Sequence, residues 1–189
     1  MPNWCSNNIT ISGPVETIKT LWDEANSEDG GLLNAMVPMP KELKDTTSPS
    51  DLDQETQAVM IKKFGASDWY SWCVNNWGTK WDINTEGLEF TDNEDGTASI
   101  DGWFDSAWAP PIGAYEKFLD DMDNCSINAS YYEMGMDYAG FWVDGEDQML
   151  EGCHDEFKLP EDERSGLYNE LDEEWNLSEQ YEQYDDDEE

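Results

Sequence analysis

Nine basic side chains face 45 acidic ones in this chain, and any fold must tolerate the resulting formal charge of −36. Like charges gathered on a compact body repel one another, so folding requires an apolar core large enough to outweigh the repulsion. The charge is also lopsided. Residues 1–80 carry 11 acids and six bases, a net of −5, whereas residues 81–189 carry 34 acids and three bases, a net of −31. Opposing this are ten Trp, eight Tyr and six Phe, each able to bury on the order of 150–250 Å². Disordered acidic chains are poor in aromatics, so a folded body is expected. With 189 residues there is room for one domain with a real core, plus an extension.

The apolar spacing divides the chain. Asn7-Asn8-Ile9-Thr10-Ile11-Ser12 alternates and predicts a half-buried strand, stopped by Gly13-Pro14. Val15, Ile18, Leu21, Trp22 and Ala25 then recur at helical spacing. Leu32 to Val37 is a short apolar run that suggests a strand. A helix is predicted from Leu52 to Phe64, and another, capped by Ser67 or Asp68, carries Trp69, Trp72, Cys73 and Trp77. From Trp81 strand patterns take over. Asp95-Gly96 marks a hairpin and Ala98, Ile100, Gly102 and Phe104 alternate with polar neighbours. Pro110-Pro111 opens a helix with Tyr115, Phe118, Leu119 and Met122, followed by alternation around Cys125–Tyr131 and a strand over Tyr138–Val143. Asp144-Gly145 marks a turn. Residues 161–184 read as polar helix with a thin stripe of Leu167, Leu171 and Trp175, able to dock on the core.

Two strand–helix–strand units around an antiparallel sheet predict an α+β fold of ferredoxin-like type with helices on one face. The expected organisation is a domain over 1–150 with a helical insertion at about 41–78, an acidic and partly helical extension over 151–184, and a disordered acidic tail over 185–189.

The chemistry of catalysis is thinly represented. The four cysteines (Cys5, Cys73, Cys125 and Cys153) form neither a Cys-x-x-Cys pair nor a zinc ribbon and read as mostly buried thiols, although a disulfide pair stays open. The only histidine, His154, reads as a surface side chain in an acidic loop. Asp92-Asn93-Glu94-Asp95-Gly96 hints at a calcium loop, but the twelfth position is Gly102 rather than Glu, which leaves a hairpin turn. There is no phosphate-binding glycine loop. With carboxylates everywhere, no pair stands out for a glycosidase. Trp69, Trp72, Trp77, Trp81, Trp103 and Trp108 read as core rather than a stacking platform, and Lys80 as a partner of one of the many acids. No metal, cofactor or catalytic residue is predicted, and the chain is read as a non-enzyme. No run approaches the roughly 20 apolar residues of a membrane span. The start Met1-Pro2-Asn3-Trp4-Cys5 lacks a leader's basic and apolar regions, so a cytoplasmic location is expected.

Several segments together are distinctive: Met1-Pro2-Asn3-Trp4-Cys5-Ser6-Asn7, Pro38-Met39-Pro40, Trp69-Tyr70-Ser71-Trp72, Asn76-Trp77-Gly78-Thr79-Lys80-Trp81-Asp82 and Ser106-Ala107-Trp108-Ala109-Pro110-Pro111. In this order they resemble a family of phage- and plasmid-borne proteins with a YubB-type ferredoxin-like domain, over about residues 1–145. The resemblance implies a ferredoxin-like fold and a mobile-element origin. It brings no catalytic assignment. The extreme acidity and the segment beyond residue 150 depart from the family pattern.

Such a charge repels nucleic acid and anionic membrane and attracts basic surfaces, of which nucleic-acid-binding grooves are the commonest. The expected function is that of an acidic binding protein that mimics nucleic acid and occupies the basic groove of a host defence or DNA-processing enzyme. The alternative is an adaptor whose acidic tail docks a basic partner, and a third reading treats the acidity as a solvated face conferring solubility. The expected binding residues are Asp162, Glu163, Glu170, Asp172, Glu173, Glu174, Glu179 and Glu182. Carboxylates at i, i+4 on a helix lie about 6 Å apart, the scale of neighbouring phosphates; Glu170 and Glu174 have that spacing.

Overall fold

The alternating stretch around Ile9 becomes one of the two longest strands, near the centre of a six-stranded antiparallel sheet. The structure, a computed structural model, describes the backbone of residues 3–188 and the side chains of residues 3–185. Strand β1 (Trp4–Pro14) buries Cys5, Asn7, Ile9 and Ile11 on one face and turns Ser6, Asn8 and Thr10 to the other, the period-2 geometry of a strand. Helix α1 (Val15–Ala25) starts straight after Pro14 and buries Ile18, Leu21 and Ala25.

Helix α2 (Leu32–Met36) follows, and three more helices stand where the insertion was expected: α3 (Lys41–Lys44), α4 (Gln54–Phe64) and α5 (Trp69–Trp77). The run from Leu32, expected to be a strand, is helical because a distant carboxylate caps it: Asp82 accepts from the backbone N–H groups of Leu33 (2.8 Å) and Asn34 (3.3 Å). Asp68 caps α5 by accepting from Ser71 N–H and Ser71 Oγ–H, each at 2.9 Å, while Gly78, at φ +87°, ends it in the left-handed conformation that favours glycine. Removing the cap in Asp68→Ala is expected to lower stability by about 1 kcal/mol. A thermal melt should show that as a loss of roughly 2–4 °C; an unchanged midpoint would mean that water replaces the carboxylate.

Strands β2 (Leu88–Asp92) and β3 (Thr97–Ala107) form the hairpin foreseen at Asp95-Gly96. Helix α6 (Ile112–Asp121) buries Ala114, Tyr115 and Phe118, and β4 (Ser126–Glu133) and β5 (Tyr138–Val143) follow. Asp144 and Gly145 both take positive φ, 48° and 100°, the geometry of a tight hairpin turn. They lead into β6 (Glu146–Glu151), a strand the sequence pattern did not disclose. The sheet order is β2-β3-β1-β4-β5-β6. Helices α1, α2, α5 and α6 cover one face, over a core that includes Ile9, Ile11, Ile100, Tyr115 and Trp142.

The expectation of helices on one face alone does not hold. Helices α7 (Cys153–Phe157), α8 (Gly166–Trp175) and α9 (Leu177–Glu188) return to the opposite face. There Tyr168, Leu171, Leu177 and Tyr181 are buried with Tyr132, Ala139 and Cys153 in a second core. The stripe of Leu167, Leu171 and Trp175 packs against that core as its spacing suggested. Fully burying a Leu contributes roughly 1.5–3 kcal/mol before the entropy of ordering is subtracted. The extension is therefore a third layer of the fold. Helix α9 continues to Glu188, through most of the segment expected to be a disordered tail; Glu189 lies outside the described residues. Among those residues no helix is long and apolar enough to cross a membrane.

Candidate functional site

Three of the distinctive segments meet at one end of the sheet. Asn7 Nδ2 donates to Cys5 O (2.7 Å) and to Ser106 Oγ (2.9 Å), and Ser106 Oγ donates to Ala109 O (2.8 Å). Thr79 Oγ1 donates to Ala107 O (2.8 Å), and Trp108 N–H to Asn3 O (3.0 Å). Trp77 Nε1–H donates to Val37 O (2.9 Å), tying the Pro38-Met39-Pro40 loop to the same place. These bonds satisfy polar groups that would otherwise be costly to bury, and they fix what lies outside them.

Outside them lies tryptophan. Trp72 and Trp77 are core, as expected, but Trp81, Trp103 and Trp108 are 38, 64 and 38% exposed, and Trp4 is 50% exposed. The reading of all six expected tryptophans as core is thus corrected for these three. The rings are held at the surface by backbone geometry. Trp103 rests against Gly87, where any Cβ would lie only 2.2 Å from Trp103 O, and Trp108 sits in the left-handed region at φ +71°. Trp4, Trp81 and Trp103 wall a groove of about 600 Å³ that Asp82, Glu86 and Asp105 also line. The Trp4 and Trp81 rings are 5.8 Å apart. Asp82 is spent on capping α2, and one Asp105 oxygen accepts from Ser6 Oγ (3.0 Å).

Lys80 does not pair with an acid, contrary to expectation: among the described residues no carboxylate lies within 4.0 Å of its ammonium. Instead Nζ sits 4.5 Å from the Trp81 ring centroid, 5.2 Å from that of Trp108 and 5.8 Å from that of Tyr70, a cation–π cage.

Nucleophiles are muted. Burial pushes the Cys5 and Cys73 thiols up to about 12 and the Cys153 thiol up to about 11. All four cysteines are free thiols. His154 is not a loop side chain but part of α7. Its ring stacks 4.8 Å from Tyr181 and its Nε2 lies 3.0 Å from Asp185 Oδ1, clamping α7 to α9. Among the described residues no group of three or more His, Cys, Asp or Glu is placed to hold a metal ion.

The eight acids singled out from sequence divide by role. Asp162, Glu163, Glu170, Glu173, Glu179 and Glu182 are exposed. Asp172 is half-buried and caps α9, accepting from Ser178 N–H and Oγ–H at 2.7 Å each. Glu174 reaches onto the sheet, where Asn8 Nδ2 and Ser130 Oγ donate to it at 3.0 Å. Glu174, like Glu170, remains exposed, with one carboxylate oxygen tied to the sheet.

No family model and no curated protein matches the chain. A solved structure similar to it is protein api92 from Yersinia pseudotuberculosis, of the family-model DUF1281. The two share 11% sequence identity with a TM-score of 0.44, over 80% of this chain and 98% of that one.

Proposed function

We propose that this chain is a non-enzymatic binding protein that mimics nucleic acid and inhibits a basic, nucleic-acid-binding partner by occupying its groove. The observation that carries this reading is the shortage of internal partners for the acids. Among the described residues the ion pairs within 4.0 Å are Lys19–Asp23, Lys63–Glu42 and His154–Asp185, against 45 acids in the chain. Exposed carboxylates without a neighbouring cation keep their hydration and their field until a cationic surface arrives. The docking of α8 and α9 on a packed core holds Glu170, Glu173, Glu179 and Glu182 on helices rather than on a loose tail, so association does not have to order them.

The first four strands support a ferredoxin-like reading of the core: β2-β3-β1-β4 is antiparallel throughout, with α1 after β1 and α6 between β3 and β4. We take β5, β6 and the α7–α9 layer as additions to it. The resemblance to phage- and plasmid-borne proteins makes a defence or DNA-processing enzyme of the host cytoplasm the natural target. The exposed Trp groove favours a second reading, an adaptor that holds a partner through aromatic contact.

Salt and competitor DNA separate the two. A pull-down from host lysate at low salt is expected to retain a nucleic-acid-binding protein that excess DNA displaces, and raising salt to about 0.5 M is expected to release it, because the Debye length shrinks well below 10 Å. A partner that survives that salt and ignores DNA would sink the mimic and support the adaptor.

A further inference from the structure

We propose that the groove between Trp4, Trp81 and Trp103 receives an arginine side chain from a basic segment of a partner protein. Aromatic surface of this kind is kept in water only at a cost, and exposed apolar patches on folded proteins mark binding sites. Here the patch is a walled groove whose rings are fixed by Gly87 and by the Trp4–Trp81 contact. Asp82, Glu86 and Asp105 line it, three carboxylates against the one nearby ammonium, that of Lys80 over the Trp81 ring. Charge complementarity therefore selects a cation and repels phosphates and carboxylates. The chain itself supplies a precedent next door, because Lys80 places its ammonium over Trp81, Trp108 and Tyr70 with no acid within ion-pair distance among the described residues.

Arginine fits better than lysine for physical reasons. The guanidinium is planar and weakly hydrated; it stacks on indole faces and presents a fork of donors to a carboxylate. Ser6 Oγ occupies one oxygen of Asp105, and the other has no hydrogen-bond partner among the described residues. An ammonium keeps its water more tightly and lacks the flat face. This assignment stands apart from nucleic-acid mimicry, since it requires only an accessible arginine, and a small probe tests it without any partner protein.

The experiment is a titration of the full chain with L-argininamide, and in parallel with L-lysinamide, followed by the NMR signals of the indole N–H groups at about 0.15 M salt. Argininamide is expected to move the Trp4, Trp81 and Trp103 indole signals saturably, with lysinamide at least about threefold weaker. Trp103→Ala is expected to weaken argininamide binding about fivefold, and Asp105→Asn about threefold. Both side chains are exposed, and the amide spectrum of each variant reports its fold. Equal shifts with both probes, affinities within twofold of wild type in both variants, or shifts confined to the acidic helices would each overturn the proposal.

Discussion

A chain ending at Pro160, without α8 and α9, is expected to melt at least about 10 °C below the full-length protein and to bind a dye that reports exposed apolar surface. Four side chains that are almost wholly buried, Tyr168, Leu171, Leu177 and Tyr181, leave with those helices, and Tyr132, Ala139 and Cys153 on the sheet side lose their cover. Each departing side chain contributed roughly 1.5–3 kcal/mol of gross burial, a large share of a net stability of ~5–15 kcal/mol. One effect acts the other way. Residues 161–189 hold 14 acids and one base, a net of −13, so truncation also relieves self-repulsion. At 0.15 M salt that relief is screened to within about 8 Å, and the lost packing dominates. Leu171→Ala reads the same interface with the charge unchanged and is expected to cost about 2–5 kcal/mol, or very roughly 5–20 °C. If the truncated chain melted within about 2 °C of the whole, α8 and α9 would be an appendage and not a layer of the fold.

Thiol reactivity gives the second large effect. A free cysteine near pH 8 is about a quarter thiolate, whereas a thiol held near 12, as Cys5 and Cys73 are, is about one part in ten thousand thiolate. Labelling of these two by a disulfide reagent at pH 8 is expected to be about a thousandfold slower in the native protein than in denaturant. Cys153 should be slow as well, while half-buried Cys125 leads. The linkage has a definite sign. The folded state keeps protons on Cys5 and Cys73 that the unfolded chain begins to release near pH 8, so stability falls as pH rises from there toward 12. Buried Tyr115, whose hydroxyl is also pushed up by burial, acts in the same direction. Rapid native labelling of three or four thiols would show that the core around β1 opens readily.

The sequence disclosed what local chemistry controls. Ile18, Leu21 and Ala25 fall on the buried face of α1 because helical periodicity places them there, and Asp95-Gly96 and Asp144-Gly145 mark their hairpins because few residues accept positive φ. It misled where distant groups decide. Leu32–Met36 is helical because Asp82, some fifty residues on, supplies its cap. Strand β6 carries no apolar alternation, since it lies at the edge of the sheet and is held there by backbone pairing with β5. Residue type alone did not separate buried Trp77 from exposed Trp103, because the difference rests on Gly87 and on the path of β3. Glu174 is exposed, and only the return of α8 over the sheet lets one of its oxygens also accept from Asn8 and Ser130.

The sheet's two free margins are β2 and β6. β6 carries Glu146, Asp147 and Glu151, and β2 carries Glu89 and Asp92. An open margin is normally a template on which another copy extends the ladder, the first step toward fibrils. Here a second molecule would have to lay its own carboxylates beside these, and like charges directly opposed destabilise a strand pair. The sheet is thus self-terminating. Even in a concentrated solution, these like-charged margins oppose strand-by-strand growth of the protein with itself.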